Sequence, residues 1–227
     1  MGYTHYWRAI PNLNKYQFAK VAADFKKIVP TLEHCGVKLA DAFGADNSKP
    51  TITSKAIIFN GLENCGHQER DLGVTWPDKN ARGGVSAAAI AGGKTAMMHA
   101  GTLDQYMQTE VNGSWFAGAS LMTRTCGGHC AHETFSLEQK MHPESWQKPD
   151  EQGRYFNFCK TAYKPYDLAV TVALVIAKHY LGDAIEVSSD GEMKDWQDAK
   201  DICEHFLGYG ADFTLPKEDA IEEEVTA

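Results

Sequence analysis

Tyr3 to Ala9 reads as an aromatic strand, and a period-two pattern appears where Phe156 and Phe158 flank Asn157. Alternation of this kind marks strands with one buried face. From Asn14 the spacing changes. Phe18, Val21, Ala22, Phe25, Ile28 and Val29 recur at three and four residues, the stripe of an amphipathic helix capped by Asn14 and ended by Pro30. Ala56–Phe59 is a short apolar strand closing on Asn60-Gly61, a turn signal, and Ser114–Thr125 and Glu133–Glu138 are further strand candidates. Leu168–Leu181 has few polar residues and is long enough for a buried helix. A strand at Ala184–Ser188, a Ser189-Asp190-Gly191 turn and a last helix marked by Met193, Trp196, Ala199, Cys203 and Phe206 complete the pattern. The faces of Phe156, Phe158, Leu174, Trp196 and Phe206 are expected to meet in one core.

This order predicts an α+β fold, a mainly antiparallel sheet with about three helices on one face, and suits a doubly wound nucleotide fold poorly. Residues 1–214 read as one domain, interrupted at about 62–125 by a long loop-rich insertion in which small residues and the pairs Gly83-Gly84 and Gly92-Gly93 replace large apolar side chains. Segments of that length without a core of their own are functional or tethered. Residues 215–227 form an acidic tail, expected to be mobile.

Composition adds limits. With 227 residues and 43% apolar content the chain can build one sizeable core. The formal charge of −8, from 30 acidic and 22 basic residues, argues against a general nucleic-acid coat or a polybasic membrane contact, while leaving room for a local basic pocket. The opening Met1-Gly2-Tyr3-Thr4-His5-Tyr6-Trp7 is not a basic segment followed by an apolar one, and no stretch reaches the roughly 18 apolar residues of a membrane span. A cytoplasmic protein is expected, and a homo-oligomer is compatible with the sequence.

That same opening, with Phe59-Asn60-Gly61, Cys126-Gly127-Gly128 through His132-Glu133-Thr134-Phe135, Phe158-Cys159-Lys160-Thr161, Lys164-Pro165-Tyr166-Asp167 and Val187-Ser188-Ser189-Asp190-Gly191, resembles a family of uncharacterised small proteins of bacteria, phages and fungi. The resemblance covers nearly the whole chain and implies kinship without a mechanism. Shorter members lack most of the Gly61 to Cys126 excursion, which implies that the core function does not need it.

Several constellations carry chemistry. Cys65, His67, Cys126 and Cys130 offer soft ligands for a tetrahedral zinc ion, at irregular spacing. A disulfide from Cys65 to one of the later pair, or reduced thiols buried as small apolar groups, explain the same residues. Gly93-Lys94-Thr95 lacks the earlier glycine of a phosphate loop, since Ala88 stands there. Lys160, Thr161 and Lys164 crowd a strand-to-helix turn, with Tyr166 and Tyr6 beside it, and Pro165 suits the first helical position, where free N–H groups receive anions. Asp167 in the first turn is the competing occupant of those donors. His5, His132, Glu133 and Asp190 lie at or near strand ends, where one sheet can gather a base, an acid and an oxyanion donor. For Asp190 the turn is the plainer role, and for His5 a hydrogen-bonded core group is.

Two functions remain open. One is an enzyme, a hydrolase or transferase, acting on a small anionic molecule such as a nucleotide or phosphorylated metabolite. The other is a binding or oligomerising module whose aromatic residues, among them Tyr3, Tyr6, Trp7 and Trp115, form a contact surface.

Overall fold

The computed structural model describes residues 3–34, 37–65, 124 and 129–216, and within 66–123 the backbones of four strands. The acidic end of the expected tail, from residue 217, lies outside the described residues, as do His67, Trp115 and Cys126.

The aromatic opening is a strand, β1 (Thr4–Ala9), and the capped stripe is helix α1 (Lys15–His34). Asn14 Oδ1 accepts from the N–H groups of Tyr16 and Gln17, as a cap should. The helix does not stop at Pro30. It runs one turn further because Ile28 and Leu32, on either side of the proline, are both buried, and packing outweighs the missing donor. Two short strands, β2 (Leu39–Ala40) and β3 (Thr51–Ile52), flank β4 (Ala56–Gly61). Asn60-Gly61 is therefore the end of a strand and not a turn. A Cβ on Gly61 would lie 2.0 Å from the Cys130 carbonyl oxygen, so only glycine lets the two backbones approach.

The described parts of the insertion are strands β5 (Gly73–Pro77), β6 (Val85–Ala91), β7 (Lys94–His99) and β8 (Ala119–Thr123), pairing as β5–β8 and β6–β7. Lys94 thus opens a strand, where a phosphate loop would open a helix. The chain continues through β9 (Phe135–Glu138), β10 (Tyr155–Lys160), helix α2 (Asp167–Leu181), β11 (Ile185–Ser189) and helix α3 (Gln197–Leu207), the last preceded by a 3-10 turn over Met193–Trp196.

All the ladders among the described residues are antiparallel. One sheet has the order β10-β1-β11, and a second places β4 between β2, β3 and β9. The fold is α+β, and the three α-helices found among the described residues build the core with the inner sheet faces. Helix α2, which packs on both α1 and α3, is buried almost all round. No helix among the described residues is long and apolar enough to cross a membrane.

The expected core needs one correction. Leu174 and Trp196 are fully buried, but Phe156, Phe158 and Phe206 are exposed. Strand β10 alternates as predicted, with the opposite phase. It pairs with β1 so that Cys159 faces His5 and Asn157 faces Trp7, and these turn inward. Trp7, Phe59 and Phe135 supply the aromatic core instead, with ring centroids 5.1 and 4.9 Å apart. Truncating Phe59 to Ala should cost about 3 to 5 kcal/mol, whereas Phe158→Ala should cost about 1 kcal/mol or less. Urea denaturation of the two variants measures the difference, and equal losses would mean that Phe158 packs inside.

Candidate functional site

At the end of the β10-β1-β11 sheet a carboxylate is held with no exposed surface. Asp167 is the first residue of α2, and its Oδ1 is 2.7 Å from His5 Nε2 and accepts the Thr161 hydroxyl at 2.5 Å. Its Oδ2 accepts from Arg124 Nε at 2.9 Å. An ionised carboxylate only accepts, so Nε2 carries the proton toward it. In the neutral ring Nδ1 is then an acceptor, and the Ser189 hydroxyl lies 2.9 Å away. A continuous line of Ser189, His5 and Asp167 results, drawn from β11, β1 and α2.

Local sequence explains each position. His5 and Ser189 are cross-strand partners on the inner face, and the α2 N-terminus meets the same end of the sheet. The link from β10 to α2 is a tight turn in which Lys164 N–H donates to Thr161 O at 3.0 Å. Ala162 and Tyr163 both have left-handed φ values, 52° and 56°, an uncommon state for side chains that have a Cβ. Tyr163 is kept there by stacking on Tyr3, with centroids 3.7 Å apart. Tyr3 and Trp196 meet the His5 ring edge to face from centroids 4.9 Å away, which fixes its plane. Gly191 makes room for Tyr3: a Cβ there would come within 2.1 Å of the Tyr3 hydroxyl.

The network extends through Arg124, which follows β8 and is fully buried. Its Nη1 donates to Asp198 Oδ2 at 3.0 Å, and the β5–β8 ladder runs beside α3, which carries Asp198. Burial disfavours charge on both acids, but the outcomes differ. For Asp167 the opposing effects of His5, Arg124 and Thr161 prevail and hold the carboxyl well below its ordinary range. For Asp198 burial prevails over Arg124, with Asp201 and Asp167 adding to it, and the carboxyl is pushed up to about 7. Burial also raises the Tyr3 hydroxyl, helped by the charges of Asp167 and Asp195. Among the described residues the buried side-chain atoms without a hydrogen-bond partner are Tyr3 Oη, Arg124 Nη2, Trp196 Nε1 and Asp198 Oδ1. All belong to residues of this network or packed on it, and such concentrated polar demand is typical of functional centres.

The residues singled out in the sequence fall in several places. His5 and Thr161 are inside the network. Asp190 closes the strand end: its Oδ2 accepts from Thr4 N–H at 3.0 Å and its Oδ1 from the Tyr6 hydroxyl at 2.9 Å, on the outer side. Glu133 Oε2 accepts the Lys160 N–H at 2.8 Å, and the Tyr166 hydroxyl, buried, donates to Glu133 O at 2.8 Å. The His132 backbone is bridged by Asn60, with its side chain exposed and away from His5. The helix end is not an open anion cradle. The Asp167 and Leu168 N–H groups already donate to Lys164 O and Pro165 O, Asp167 occupies the turn, and Lys164 Nζ donates to His129 O. Of that set Lys160 and Tyr6 keep partly exposed side chains, while Thr161, Lys164 and Tyr166 are buried.

Cys65 and Cys130 are buried side by side against Leu62. Among the described residues no group of three or more His, Cys, Asp or Glu is placed to hold a metal ion. Ser189 and Asp167 were visible in the sequence only as turn and helix-start residues. Asp198 had a signal, an acid four residues before the buried Ile202 on the inner stripe of its helix. Arg124 had none.

No family model matches the chain, and neither does any curated protein or solved structure.

Two changes test the electrostatics. Arg124→Met should destabilise by about 3 to 5 kcal/mol, because it leaves buried carboxylates uncompensated. An acid whose pKa is raised on folding holds its proton more tightly in the folded chain. Asp198 therefore makes stability fall as pH rises from about 4 to about 7, whereas Asp167, lowered on folding, acts below that window. Asp198→Asn keeps an oxygen for Arg124 and should flatten this slope. Melting temperatures across the window measure it, and an unchanged slope would remove Asp198 as its source.

Proposed function

We propose that the chain is a hydrolase in which Ser189 is the nucleophile, His5 the general base and Asp167 the group that orients and balances the imidazole. The observation that carries this reading is the line of hydrogen bonds at 2.9 and 2.7 Å through the two ring nitrogens of one histidine. Such a constellation is recognised by geometry and roles, and it recurs with the catalytic residues in different chain orders.

In the first step Ser189 Oγ attacks an activated acyl or phosphoryl centre while its proton passes to His5 Nδ1. The imidazolium so formed faces Asp167, which Arg124 and Thr161 keep ionised and fixed. The proton then leaves with the departing group, and water, activated in the same way by Nδ1, releases the product and restores Ser189. The Gly191 N–H, 3.0 Å from Ser189 Oγ, supports negative charge building on that oxygen. Ser189 is only partly buried and Asp190 after it is exposed, so the strand end is open on the serine side while His5 is sealed. The substrate we favour is small and anionic, its acidic group facing Lys160 at the same end of the sheet.

A fluorophosphonate probe tests this directly. Its phosphorus gains a bond to Ser189 Oγ, fluoride leaves and the serine proton goes to His5. Intact mass should show one adduct per chain, peptide mapping should place it on Ser189, and Ser189→Ala should stay folded and unlabelled. A folded protein that stays unlabelled, or one labelled at another serine, would remove the nucleophile.

A further inference from the structure

The outer face of the same sheet is unlike an ordinary solvent face. Antiparallel sheets covered on one side carry polar side chains on the other, yet Tyr6, Phe156 and Phe158 stand outward here in adjoining register positions. Tyr6 and Phe156 have centroids 5.8 Å apart at 28°, and Phe156 and Phe158 5.9 Å apart at 30°, giving a row of nearly parallel rings. Phe156 is 42% and Phe158 52% exposed, and Trp146, at 76%, rises beside them from the loop before β10. Arg8 lies on the same face with its guanidinium carbon 5.7 Å from the Phe156 centroid. Single exposed aromatics need no explanation, but a contiguous set does.

Trp146, Gln147, Lys148, Phe156, Asn157 and Phe158 line a cleft of about 420 Å³. That lies in the size range of small-molecule sites. The lining holds one cation and no carboxylate, in a chain of net charge −8. Gln147 Oε1 accepts the Glu144 N–H, and Asn157 Nδ2 faces Met141 Sδ and Tyr155 O. Among the described residues this leaves a donor on the amide of Gln147, which lines the cleft, while the Asn157 side chain turns to the inner face.

We propose that this cleft binds a free mononucleotide, its base stacked against Phe158 and Trp146 and its phosphate facing Lys148. Exposed rings offer a face to any base, the Gln147 amide can donate to a base edge, and the lone cation suits a phosphate. An extended strand fits less well, because its run of phosphates would lie along an acidic protein. This site is on the opposite face of the sheet from Ser189 and does not depend on it.

The test uses the intact chain with AMP, GMP, CMP and UMP, read by saturation-transfer NMR and calorimetry, with adenosine, ribose 5-phosphate and a ten-residue oligoadenylate as comparisons. At least one mononucleotide should bind, with ring protons receiving the strongest transfer. Phe158→Ser and Trp146→Ala should each weaken it about tenfold or more with a near-normal melting temperature. Lys148→Ala should weaken the nucleotide and leave adenosine unchanged, and Ser189→Ala should bind as well as the parent. Absence of nucleotide binding, full binding by Phe158→Ser, equal binding of ribose 5-phosphate, or tighter binding of the oligonucleotide would each overturn the proposal.

Discussion

Everything at this end of the molecule depends on placing one carboxylate where water does not reach it. Asp167 has no exposed surface and is ionised, a state that burial alone would forbid. It is stable because three donors from different parts of the chain converge on it: His5 from the first strand, Thr161 from the strained turn and Arg124 from the far end of the insertion. Such a group tolerates no partial assembly. Removing Arg124 leaves the charge undercompensated, and losing His5 or Thr161 removes a hydrogen bond from it, so strand, turn, helix and insertion exit are coupled through this one group.

The strained turn follows from this constraint. Thr161 reaches the carboxylate only if the chain reverses within two residues, and Ala162 and Tyr163 take the left-handed conformation to do so. Neither is glycine, so their cost falls on the folded state, and the Tyr3–Tyr163 stack and the backbone bonds from Thr161 and Ala162 to Tyr3 O offset it. Arg124 ties the insertion to this core. In this chain the core is not independent of it, since the guanidinium that links Asp167 to Asp198 arrives from its last residues.

The sequence showed what is periodic and hid what is ionic. The α1 stripe, the apolar run of α2 and the alternation of β10 were all legible, because burial repeats at the period of the element, and β1 was marked by its aromatic residues. The phase of β10 was not. Hydrophobicity alone turns Phe156 and Phe158 inward, but the register that sets Cys159 opposite His5 turns them out, and His5 is itself held inside by Asp167. Arg124 and Asp198 are 74 positions apart, and no spacing rule joins them. Helix-start acids such as Asp167 are usually read as partners of the helix end, a local account that was sufficient until the distant arginine came into view.

Gly61 has a consequence for how this chain tolerates change. Its contact with the Cys130 carbonyl, together with the Cys130 N–H bond to Leu62 O, joins the departing and returning backbones of the 66–123 segment at one point. A segment closed at its base can lengthen cheaply, since each doubling of a flexible loop adds only about 0.6 kcal/mol of closure entropy. Length between the two ends is therefore weakly constrained, while the landing point, Arg124 and the β5–β8 ladder beside α3 are not. Grafting, shortening or circularly permuting this segment becomes a matter of preserving its two feet and that ladder, which makes it the natural place for the chain to acquire new surface without disturbing the core.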